Sequence, residues 1–147
     1  KDTRDSGDIF IVAAGNEGSN NDTNFAFPTN FSLVYENVIS VAAINKDSEI
    51  TSFSNFGKKS VTLSAPGKDI LSTKAQGNYV SLSGTSMATP FVTGGVALLW
   101  NLAPTNTSME IINIIKLSAK PLGSIQSNKT KTDGKLDLEK AVLLLNK

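Results

Sequence analysis

Apolar residues fall in short runs through the first half of the chain and in helix-length stretches through the second. Asp8-Ile9-Phe10-Ile11-Val12-Ala13-Ala14, closed by Gly15, is continuous and rich in β-branched residues. A run of that kind predicts a strand covered on both faces, as in a parallel sheet. Asn37 to Ala43 predicts a second such strand, and Val61 to Ala65, stopped by Pro66-Gly67, a third. Ile70–Thr73 and Tyr79–Ser83 flank Gly77-Asn78 and predict a hairpin. Between these runs lie a polar loop at 16–24, an irregular connection around Pro28, and a turn at 52–57 expected to bury Phe53 and Phe56.

From Met87 to Leu102 no residue is charged, and apolar residues fall on every side. A helix of that pattern is buried rather than laid on a surface. Gly94, Gly95 and Ala97 lower helix propensity, which predicts another backbone passing close by. Thr85 or Ser86 can cap this helix, and Pro90 falls in or near its first turn. Ser86 thus sits at a helix N-terminus, where free N–H groups favour developing negative charge. The position suits an ordinary cap and a nucleophile alike. Beyond Pro104, Thr107 and Glu110 form a capping box ahead of a helix with Ile111, Ile114 and Ile115 as its stripe. A polar loop is expected at 118–134. Asp137 then caps a last helix with Leu138, Ala141, Val142 and Leu145 on one face.

Strands buried on both faces but only three helices, all late in the chain, point to an α/β fold with a mostly parallel sheet flanked by helices. That sheet is incomplete without an N-terminal half. The 147 residues are therefore read as the C-terminal portion of a single domain, and Lys1 does not read as a natural start.

Composition narrows the chemistry. A formal net charge of +1 without a basic run gives no electrostatic case for nucleic acid or an anionic membrane, and no stretch reads as a membrane segment. The absence of cysteine removes disulfides and thiolate metal sites. Loop 16–24 holds two carboxylates and several amide oxygens, the donors calcium takes, but without EF-hand spacing. Asn21-Asp22-Thr23 and Asn30-Phe31-Ser32 are glycosylation sequons that an Asn-rich chain produces easily by chance. Asn16 follows a strand, where α/β sheets bind ligands, although a turn residue is the plainer reading. There is no histidine, so a catalytic Ser86 would need its base from another polypeptide segment.

Two stretches combine into a pattern. Ala13-Ala14-Gly15-Asn16-Glu17-Gly18 after a strand, and Gly84-Thr85-Ser86-Met87-Ala88-Thr89-Pro90 opening a helix, resemble the subtilisin-like serine proteases, the subtilases. The landmarks between them are similar as well: Phe27-Pro28, Ser52-Phe53-Ser54, Ala65-Pro66-Gly67 and Tyr79. The ending Asp133-Gly134-Lys135-Leu136-Asp137 fits the same family. The resemblance implies Ser86 as nucleophile of a Ser-His-Asp triad and Asn16 as oxyanion-hole donor. It implies Ala13, Ala14, Gly15, Ala26 and Thr85 as substrate-binding residues, with peptide or protein substrates. It places the triad's Asp and His in an N-terminal half of the domain, the expected partner of this chain. No cofactor is established by the residues, and calcium enters by resemblance only, as does secretion or residence in the cell envelope. One departure is Phe91, where the family usually has a histidine that is not the catalytic one. The alternative is a non-catalytic pseudoprotease or binding module. An α/β-hydrolase is excluded, because residue 88 is Ala where its motif needs Gly and no histidine follows Ser86.

Overall fold

The computed structural model describes residues 7–123 and 127–145. Residues 1–6 of the polar opening and 124–126 of the expected 118–134 loop lie outside them. The three early runs form β1 (Phe10–Ala13), β2 (Val38–Ile44) and β3 (Leu63–Pro66), paired in parallel in that order. The expected hairpin is present as β4 (Ile70–Lys74) and β5 (Asn78–Leu82), a separate two-stranded sheet. Next come α1 (Thr85–Leu102) and the Thr107-capped α2 (Ser108–Ser118). The segment read as loop contributes β6 (Lys120–Pro121) and β7 (Gly134–Lys135); α3 (Leu138–Leu145) closes the order. β7 extends the main sheet beside β3, so its order is β1-β2-β3-β7-β6. Those short strands escape a reading by pattern because two residues show no alternation.

Side-chain alternation along β2 divides the core. Ile39, Val41 and Ala43 join Leu63 and Ala65 against Ala88, Val92, Val96 and Leu99 of α1 and Ile111, Ile112 and Ile115 of α2. On the other face Ala42 packs with Ala14 and Val61. No α-helix covers that second face among the described residues. A short 3-10 helix, Thr29–Leu33, lies there instead: Ser40 Oγ donates to Thr29 Oγ1 at 3.4 Å, and the Ser40 N–H donates to Thr62 Oγ1 at 3.1 Å. Small side chains at 40 and 42 let loops lie directly on the strand.

Other expectations change too. β1 is not buried on both faces: it is the edge of the sheet, and Phe10 is 43% exposed. In the 52–57 turn, Ser54, Asn55 and Gly57 are buried, whereas Phe53 and Phe56 are half-buried. Ile112, rather than Ile114, completes the buried stripe of α2. Gly95 admits a side chain and not a backbone: a Cβ there would lie 2.5 Å from Leu138 of α3. The local cues held. Thr107 and Glu110 form the reciprocal capping box, and the Lys140 N–H donates to Asp137 Oδ1 at 2.9 Å. The Thr107 N–H, with help from its hydroxyl, holds the exposed Glu110 carboxyl below the usual carboxylate range.

Candidate active site

Ser86 is brought to the surface by a clamped turn. The Gly67 N–H donates to the Ile44 carbonyl, and the Gly84 N–H donates to the Gly67 carbonyl at 2.8 Å. The end of β3 and the start of α1 are thereby pinned at the base of the hairpin. Only glycine fits at 67, since a Cβ would sit 2.6 Å from Ala43 Cβ and 2.8 Å from the Gly84 carbonyl. Ser86 is the second residue of α1 and exposed, and Gly84, not Thr85 or Ser86, occupies the cap position. Pro90 also falls deeper than expected, inside the helix. Its missing N–H deprives the Ser86 carbonyl of its usual i+4 donor. The Ser86 N–H, in the first helical turn, lies where the helix itself offers no acceptor.

Thr85 joins this turn to the loop after β1. Its N–H and its hydroxyl both donate to Asn16 Oδ1, at 2.9 and 3.0 Å, and the Gly15 N–H donates to Thr85 Oγ1 at 3.2 Å. Two donors converging on one atom identify it as the amide oxygen. The Asn16 NH₂ is therefore the outward end of an exposed side chain. Thr85 is fully buried, and its side chain meets Asn16 and the Gly15 N–H rather than the open groove.

A buried amide chain supports the Asn16 loop. Asn55 Oδ1 accepts from the Glu17 and Ser19 N–H groups at 3.0 and 2.9 Å, and Asn55 Nδ2 donates to Glu17 Oε2 and Asn21 Oδ1. Asn21 Nδ2 donates to the Ala14 carbonyl, and Asn30 Nδ2 to the Asn21 carbonyl, both at 2.8 Å. With φ of 110°, Gly15 takes a backbone few side chains tolerate, and a Cβ there would collide with the Asn55 amide. Asn21 and Asn30 are 0% and 4% exposed, so neither sequon is open to a glycan in the folded chain.

The loop does not fit calcium. Asp22 Oδ1 accepts from the Ser60 hydroxyl at 2.7 Å and from the Ser60 N–H at 2.9 Å, while Oδ2 accepts from the Lys59 N–H at 3.1 Å. Burial pushes the Asp22 carboxyl up, but the Ser60 hydroxyl and the two N–H groups outweigh it and hold it below the usual range. Glu17 is bound to Asn55. Among the described residues, no three His, Cys, Asp or Glu side chains converge as a metal site.

Of the expected site residues, Ser86 and Ala13 share an open hollow of about 390 Å³, also lined by Thr89, Pro90 and Thr93. These three follow Ser86 at i+3, i+4 and i+7, a helical spacing that sequence alone could have revealed. Gly15 and Asn16 are tied in through Thr85. The side chain of Ala14 turns into the core beside Ala42, and its N–H and carbonyl are taken up by the Val41 carbonyl and the buried Asn21 amide. Ala26 is half-buried and does not line the hollow; its N–H donates to Asn30 Oδ1 at 2.8 Å. No side chain lining the hollow is a base.

Known proteins resemble this chain in sequence and fold. The chain is 47% identical over 104 residues to the intracellular serine protease of Paenibacillus polymyxa, covering 69% of this chain and 30% of that protein. It is 35% identical over 141 residues to subtilisin-like protease 2 of Plasmodium falciparum, covering 93% of this chain and 10% of that one. The solved structure of the prenylagaramide maturation protease PagA superposes with a TM-score of 0.81 at 30% identity, over 97% of this chain and 52% of that one. This chain thus spans about half of the solved relative and less of the others, as an α/β portion of that fold. The model described as the subtilase family matches residues 1–139, through both the Asn16 loop and the Ser86 turn, and the chain belongs to the subtilase family.

Proposed function

We propose that this chain carries the nucleophile and half of the oxyanion hole of a serine endopeptidase. The observation that supports this most is the Thr85 clamp. It holds the Asn16 amide oxygen inward, so the NH₂ group faces outward next to the turn that exposes Ser86 and its N–H. Ser86 Oγ attacks the peptide carbonyl carbon as its proton passes to a base. The carbonyl oxygen, now negative, accepts from Asn16 Nδ2 and the Ser86 N–H. Collapse of the intermediate expels the amine, which takes the proton back from the base, and water then hydrolyses the acyl-enzyme by the same route. Donors fixed in advance act chiefly on the transition state.

The base comes from outside this chain, in this reading from an N-terminal half carrying His and Asp, in the same precursor or as a separate chain. Three features favour a partner there: β1 is an unpaired edge, the hairpin projects with Leu71 and Tyr79 about 70% exposed, and the outer side of α1 is apolar. By the family resemblance Ala13, Ala14 and Gly15 mark one wall for the side chain preceding the scissile bond, with Ala13 the one of them that lines the open hollow. Small Ala26 leaves room for an apolar group near its base. Export is the family's expectation; no helix among the described residues is long and apolar enough to cross a membrane, and one relative is named an intracellular protease.

Labelling of the full-length protein with a serine-directed fluorophosphonate tests the assignment. Wild type should label and Ser86→Ala should not; an unlabelled wild type would favour a pseudoprotease. Asn16→Ala should reduce turnover by about 10²–10³, a size borrowed from subtilisin, a member of the family. The 147-residue chain by itself should hydrolyse no peptide, and turnover by a single purified species would overturn the division of the triad.

A further inference from the structure

The carboxyl ends of the parallel strands carry Asn16 and Ser86. The amino ends carry a different feature. Where β2 begins at Val38 and β3 approaches through Thr62, a recess of about 200 Å³ opens between these strands, the segment 32–36 and the last turns of α2. Tyr35, Glu36, Thr62, Lys116 and Lys131 line it. That volume is several times the roughly 30 Å³ share of a water molecule.

Two lysines and one carboxylate, Glu36, line this recess. Among the described residues, Lys116 is half-buried on α2 and no carboxylate lies within 4 Å of its ammonium. Burial, and after it the positive charge of Lys131, push the Lys116 pKa down, and Glu36 opposes them as the smallest of the three influences. Thr62 Oγ1 accepts from the buried Ser40 N–H, which leaves the hydroxyl proton available as a third donor. The Lys131 loop is fixed in place: its N–H donates to the Val61 carbonyl at 2.7 Å, and that of Thr132 to the Thr62 carbonyl at 3.1 Å. A half-buried cation pressed by a second cation is relieved by an anion placed between them.

We propose that this recess binds a small oxyanion (phosphate, sulfate or a carboxylate) through Lys116, Lys131 and Thr62. The site lies at the opposite end of the sheet from Ser86 and does not depend on the catalytic reading. Bound there, the anion ties α2, the amino end of β3 and the 131 loop together, so its effect is on stability.

Thermal unfolding of the intact protein, titrated with sodium phosphate, sulfate or acetate against sodium chloride at matched ionic strength, tests the proposal. At least one oxyanion should raise Tm saturably beyond chloride, and the one that does so identifies the ligand. Lys131→Gln, at an exposed position, should weaken that anion by about tenfold or more, as for loss of one charged hydrogen bond. Lys116→Gln should do the same, and Glu36→Gln should tighten binding several-fold by removing the opposing charge. If no oxyanion exceeds chloride, or if Lys131→Gln retains wild-type affinity, the proposal is overturned.

Discussion

The two sides of α1 were built for different neighbours. Its inner side, Ala88, Val92, Gly95, Val96 and Leu99, is buried against β1–β3 and the later helices. Its outer side carries Ser86 and Thr93 with Phe91, Leu98 and Leu102, and those three large residues are 42–52% exposed. Both sides are apolar, so composition cannot tell them apart. What differs is what the rest of this chain supplies. The inner side meets a sheet and two helices encoded within 147 residues, whereas the outer side meets none among the described residues. A helix apolar all round therefore reports a neighbour on every side without saying whether that neighbour belongs to the same piece of chain.

The contrast can be broken experimentally. Leu99→Ala, on the inner side, should lower stability of the assembled protein by about 2–5 kcal/mol in urea unfolding. Leu98→Ala should instead weaken complementation between this chain and a separately expressed remainder of the domain; equal effects of both substitutions on stability, with complementation unchanged, would erase the distinction. Thr85→Val probes the junction between the sides. It strands the Gly15 N–H and removes one of the two donors to the Asn16 oxygen, so a loss of about 1–3 kcal/mol is expected. Turnover should fall with KM little moved, because the N–H of residue 85 alone would then aim Asn16. The smallest effect is that of acid on the loop after β1, away from both sides of α1. Asp22 has a folded pKa below its unfolded value of about 3.9, so its stabilisation is present above that value and is lost as pH falls through the folded pKa. Asp22→Asn should flatten the acid limb of the stability profile; an unchanged limb would remove Asp22 from the loop's support.

What was legible in the sequence was local or strongly periodic. The Thr107–Glu110 box, the Asp137 cap and the stripe on α3 are written within a few residues and appear where expected. The Ser86 turn and the Asn16 loop were legible through motif resemblance, and their contact through Thr85 spans 69 residues of sequence. Burial was harder to read. Phe53 and Phe56 looked like core, yet Ser54 and Asn55 are buried, because Ser54 Oγ accepts from the Ala43 N–H and Asn55 serves a loop 38 residues away. Asn21 and Asn30 looked like loop polarity although their backbone partners, the Ala14 and Asn21 carbonyls, lie only seven and nine residues back: no periodic pattern marks an irregular loop that folds onto its own amides. β1 looked central because its residues are β-branched, and only the strand order shows it to be an edge.

The pairing of β7 with β3 has a consequence for assembly. Ser64 faces Lys135 in parallel register, so the third and fourth strands of the main sheet are separated by the hairpin and two helices. Closing so distant a contact costs chain entropy before it returns any stabilisation, which slows folding. During synthesis from the N-terminus, β1 to β3 and α1 emerge long before residue 135 can complete the sheet. Until then the far edge of β3 is open to strand exchange, and a chaperone able to shield that edge would raise the yield of the native fold.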